Sequence, residues 1–81
     1  MITLGQAFDL RISELLKERK ISLHKFLKDN NIARSTIVNI QRGNTKSPTL
    51  AIVYQVAAGF NMTPVEFLND PVFNESNVEY F

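Results

Sequence analysis

The chain has no cysteine and only one histidine. Without thiols it forms neither disulfide staples nor thiolate metal sites, and one imidazole cannot build a metal cluster. Its three glycines are scattered and form no phosphate-cradling loop. No nucleophile pairs with a histidine and an orienting group, so the sequence points to no enzyme and implies no cofactor. Apolar runs stop far short of the roughly 20 residues that span a bilayer. The first residues, Met1 to Asp9, lack the basic region of a signal peptide. The expectation is a soluble cytoplasmic protein with no membrane partner and no evident small-molecule ligand.

Cations are missing from the second half altogether. Residues 1–46 hold all nine Lys/Arg against four acids, a net of +5, while residues 47–81 hold four acids and no base, a net of −4. A basic half of this kind can face a polyanion while the acidic half faces away. An unevenly charged, solvated surface would look the same. A chain of 81 residues suits one domain whose small core favours a compact helical bundle or an oligomer.

What is present is helical periodicity. Met1 to Gln6 reads as a lead-in. From about Ala7 to Lys20, Phe8, Ile12, Leu15 and Arg19 recur at helical spacing beside Leu16, and the last turn is basic. Ser22 caps a second helix from Leu23 to about Asn30, with Phe26 and Leu27 inward and His24, Lys25, Lys28 and Asp29 outward. Asn30-Asn31 ends it, since asparagine tolerates a left-handed position, and Ile32 plugs the turn. A third helix follows from about Arg34 to Arg42, stopped by Gly43, with Ala33 at a cap position that lacks a capping oxygen.

Asn44 to Pro48 is a polar loop. Thr49 caps a fourth helix to about Phe60, with a stripe of Leu50, Val53, Val56, Ala57 and Phe60. Its small residues Ala57, Ala58 and Gly59 allow close approach of a neighbouring helix. Thr63-Pro64-Val65-Glu66 opens a fifth, combining a capping box with proline at the first helical position. Phe67 and Leu68 are expected to face the core, and Asn69-Asp70-Pro71 to break the helix. The tail, residues 71–81, is more apolar than disorder needs, so it packs back on the domain of residues 1–70 or contacts a partner chain. No strand alternation or internal repeat is visible.

The stretch from Asn30 to Pro48 is the one with chemical character. Ile37 and Ile40 share one helical face; Ser35, Asn39 and Arg42 share another, flanked by Arg34 and Val38. An apolar back with a hydrogen-bonding front suits the DNA major groove, whose base edges present donors and acceptors. Five short helices, the second and third joined by a tight turn, make the helix-turn-helix arrangement.

From Arg11 to Leu68 the sequence resembles the Cro and phage-repressor (XRE-type) helix-turn-helix family. The resemblance rests on Ile21-Ser22, Arg34-Ser35-Thr36-Ile37, Ile40-x-Arg42-Gly43, Pro48-Thr49-Leu50, Ala57 and Thr63-x-x-Glu66-Phe67-Leu68, in family order and spacing. It implies an all-α, compact five-helix bundle of the lambda-repressor-like kind. It also implies that Arg34, Ser35, Val38 and Asn39 read bases, and that Ser22, Thr36, Arg42, Asn44 and Lys46 lie near phosphates. Three departures from the pattern stand out. Leu23 stands where a phosphate-contacting glutamine is common, and Leu27 where a small alanine is common. Leu16 and Gln41 replace an Arg–Glu pair together, which leaves no charge unpaired.

The resemblance implies a transcriptional regulator, most readily a repressor that binds double-stranded DNA as a homodimer on a palindromic operator. The competing reading is a protein-interaction module or antitoxin on the same fold, with weak or no DNA binding of its own.

Overall fold

The computed structural model describes residues 1–80. Its longest element is α1, Leu4–Arg19, preceded by β1, Ile2–Thr3. The helix opens three residues earlier than its apolar periodicity suggests. Thr3 and Gln6 form a reciprocal capping box that supplies the start, the Thr3 side chain accepting from the Gln6 N–H and Gln6 Oε1 accepting from the Thr3 N–H. Lys20 then turns left-handed (φ 57°) and closes the helix.

Ser22 caps α2, Leu23–Asp29, by accepting from the Lys25 N–H at 3.1 Å. Asn31 takes the left-handed conformation (φ 55°), as expected of asparagine after a helix. Ile32 is buried beneath the turn, and its N–H donates to the Leu27 carbonyl at 2.9 Å. Next come α3, Arg34–Gln41, α4, Leu50–Gly59, and α5, Pro64–Leu68. Thr49 caps α4, and Thr63 with Glu66 forms the expected box on α5.

The core gathers one face of every helix: Phe8, Ile12 and Leu15 of α1, Phe26 and Leu27 of α2, Ile37 and Ile40 of α3, Val53 and Val56 of α4, and Phe67 of α5. Phe26 stacks on Phe60 at 4.1 Å between ring centroids. Gly59 permits that contact, because a Cβ there would lie 2.8 Å from the Phe26 ring. Two expected core residues are not in it. Leu50 is 69% exposed and Leu68 41% exposed, while Ile52 is buried instead. Leu50 and Leu68 sit at the first and last positions of short helices, where the apolar stripe runs off the edge of the core.

The tail packs back on the domain. Pro71–Phe73 forms a single 3₁₀ turn, and Phe73 lies 6.0 Å from the Phe67 ring. Val78–Glu79, β2, pairs in parallel with β1, Ile2 opposite Val78. The fold is thus mostly helical, five α-helices with one two-stranded parallel sheet among the described residues, and not purely all-α. Both the 3₁₀ turn and β2 rest on α1. Phe81 lies outside the described residues. Among the described residues no helix is long and apolar enough to cross a membrane.

Candidate nucleic-acid interface

Two hydrophobic anchors set the orientation of α3. Ile37 and Ile40 are buried in the core, so the opposite side of this eight-residue helix must face solvent. Arg34, Ser35, Asn39 and Arg42 are exposed there, and Val38 is half-buried between them. These five positions are successive neighbours along one helical stripe. Ala33 starts the helix with no side-chain cap; the Thr36 N–H donates instead to the Ala33 carbonyl at 3.1 Å. Thr36 is half-buried and turns toward a shallow cleft shared with Thr45, Thr49 and Ile52.

The helix stops where expected. Arg42 is its last near-helical residue, and Gly43 adopts φ 79°, which glycine does without penalty. Asn39 then ties the following loop to the helix. Its backbone carbonyl accepts from the Asn44 N–H at 2.9 Å and the Thr45 N–H at 3.2 Å, and its side-chain oxygen accepts from Asn44 Nδ2 at 3.3 Å. The side-chain amide N–H groups of Asn39 point to no partner among the described residues, and its oxygen keeps a second lone pair. Asn39 therefore presents both a donor and an acceptor outward from a fixed backbone.

Lys46 is exposed in this loop, and its carbonyl accepts from the Gly5 N–H at 2.8 Å. Arg34, Arg42 and Lys46 make no ion pair among the described residues. Unpaired cations beside a donor–acceptor amide leave positive charge available to an anionic partner. Ser22 is more constrained. Its Oγ accepts the α2 cap bond, yet its own O–H remains a donor. Leu23 beside it is partly buried against the core, which gives this departure a packing role.

The sequence-expected residues therefore lie on α3 and its following loop, apart from Ser22, which caps α2. No match is found among family models or curated proteins. One solved structure has the same fold. The crystal structure of the prophage Lp1 protein 11 superimposes with a TM-score of 0.81, covering 93% of this chain and 99% of that one. The two sequences are 21% identical, so the likeness concerns the fold.

Two residues of consequence escape the sequence reading. Arg11 is buried, with its Nε donating to the Phe67 carbonyl at 2.8 Å and its Nη1 to Asp70 at 3.1 Å. Its signal is a lone cation on the apolar face of α1, between Phe8 and Leu15. The other is Gly5, buried against the Lys46 backbone. Its signal is the Thr3-x-x-Gln6 capping box, which marks Gly5 as part of a helix and not of a lead-in. Of the two residues that stand in place of an Arg–Glu pair, Leu16 is buried in the core and Gln41 Nε2 donates to Asp9 at 3.2 Å. No grouping of metal-ligating side chains occurs among the described residues.

Proposed function

We propose that this protein is a sequence-specific DNA-binding transcriptional regulator, a repressor that occupies a palindromic operator as a homodimer. In this reading α2, the Asn30–Ala33 turn and α3 form a Cro-type helix-turn-helix on a lambda-repressor-like bundle. The observation that carries the reading is the α3 stripe: Arg34, Ser35, Val38 and Asn39 exposed or half-exposed over a back pinned by Ile37 and Ile40. Arg34 is suited to guanine O6 and N7, Asn39 to adenine N6 and N7, and Val38 to a thymine methyl. Ser22, Thr36, Arg42, Asn44 and Lys46 are assigned to phosphates, which fix register without reading sequence. A single module buries little DNA surface, so two copies on two half-sites raise affinity.

The test is binding to duplexes selected from a random pool, measured at several salt concentrations. Affinity should fall steeply with salt. Arg34→Ala and Asn39→Ala should each weaken specific binding by about 1–3 kcal/mol and relax the preference at one base position. Specific binding that survives both changes removes the assignment of these reading residues.

One observation favours a protein-interaction module instead: Leu23 packs against the core where a phosphate-binding glutamine would otherwise stand. A chain of that kind would enrich no sequence and show no steep salt response.

A further inference from the structure

The loop that carries Lys46 is held from an unexpected side. Its carbonyl accepts a 2.8 Å hydrogen bond from the Gly5 N–H, one of the first-turn donors that a helix cannot satisfy internally. The approach is as close as backbone permits. A Cβ on Gly5 would lie 2.9 Å from the Thr45 carbonyl oxygen and 3.0 Å from that of Lys46, and neither atom can swing aside as a side-chain end could. Gly5 lies within α1 and outside the positive-φ residues, so glycine is needed here for clearance and not for conformation.

Gly5 is in turn fixed by the chain's other end. The Ile2 N–H donates to the Asn77 carbonyl at 3.0 Å, β1 pairs with β2, and Val78 is buried at 2% exposure. Thr3, Lys46, Ser47 and Glu79 line one cleft of about 320 Å³ where these three segments meet.

We propose that Gly5 is a positioning residue for Lys46, and that the β1–β2 pair braces it so that the loop meets phosphate in a preset geometry. This rests on the DNA-binding reading. Lysine has a long, freely rotating stem, so a fixed backbone lessens the ordering lost on contact.

The test compares wild type, Gly5→Ala, Lys46→Ala and the double variant on a labelled duplex recovered by selection. Each single variant should make the plot of log affinity against log salt shallower by about 0.9, the contribution of one phosphate. The double variant should be no shallower than Lys46→Ala alone, and the preferred base sequence should stay unchanged. A Gly5→Ala chain that keeps the wild-type slope, or a double variant that loses two contacts, overturns the proposal. Loss of stability alone would not alter the slope.

Should Gly5→Ala fail to fold, amide exchange in the free wild-type chain decides: the Gly5 N–H must be protected, and exchange as fast as in open loops overturns the brace. A wild type that binds no duplex, with Gly5 protected, overturns the DNA reading and Lys46's role while leaving the brace intact.

Discussion

Arg11 brings a cation into a place where its side chain is 10% exposed, and it survives there because every direction offers an acceptor. The Phe67 and Glu66 carbonyls and the Asp70 carboxylate receive its three nitrogens, and its guanidinium lies 5.7 Å from the Phe67 ring. Those carbonyls belong to the end of α5, which has few partners of its own. Arg11→Met should therefore destabilise the fold by about 2–4 kcal/mol, less than the cost of breaking a fully buried pair because Asp70 keeps some water. Urea denaturation reads this, and adding Asp70→Asn to Arg11→Met should cost far less than Asp70→Asn alone; additive losses would mean the pair is not coupled. No local pattern reveals this clasp, since its partners lie 55 to 59 residues away in sequence. Ala33 is the opposite case, legible from the sequence because capping is local. It offers no oxygen to the first turn of α3, and Ala33→Ser should stabilise by about 0.5–2 kcal/mol in the same assay. An unchanged midpoint would mean the Thr36–Ala33 backbone bond already meets the need.

At the scale of elements, the helices were readable wherever their stripe and their caps agreed. The Thr63–Glu66 box on α5 is the clearest instance, and it carries a titration. The Thr63 backbone N–H donates to Glu66 at 2.8 Å and, with the Thr63 hydroxyl, holds the Glu66 carboxyl below its ordinary value. Between the lowered value and the ordinary one the unfolded chain binds more protons, so stability rises with pH across that window. The contribution is whole above the ordinary carboxylate range and is lost as pH falls through the lowered value. Glu66→Gln should therefore cost stability near neutrality and converge on wild type in acid, as followed by thermal melts at a series of pH values. A constant difference at every pH would assign the cost to packing. The first turn of α1 was harder to read, because its apolar stripe begins only at Phe8 while its caps begin at Thr3. The two strands were illegible for a plainer reason: two residues each cannot display an alternation.

On the scale of the whole molecule, the two halves differ in charge and in the elements they supply. The α3 stripe and its loop present cations that make no ion pair among the described residues, while the acidic half supplies α4, α5 and the tail that returns to α1. The charge asymmetry was visible in the sequence, but the destination of the tail was not, since the apolar content of Val72 to Tyr80 fits either a partner or the chain's own body. In the structure Val78 and Phe73 turn inward, which makes the tail part of the domain and not an appendage. Burying two methyl groups beside α1 contributes enough that Val78→Ala should lower stability by roughly 1–3 kcal/mol. If the tail belongs to the cooperative unit, that loss must appear in the global unfolding transition, with helix content and tyrosine emission sharing one midpoint. A tail that frayed independently would leave the helical midpoint in place and release only the Ile2 amide to exchange. The global outcome would bind the two termini, the first turn of α1 and the Lys46 loop into one mechanical unit, so that a change at Val78 is felt at the surface assigned to phosphate.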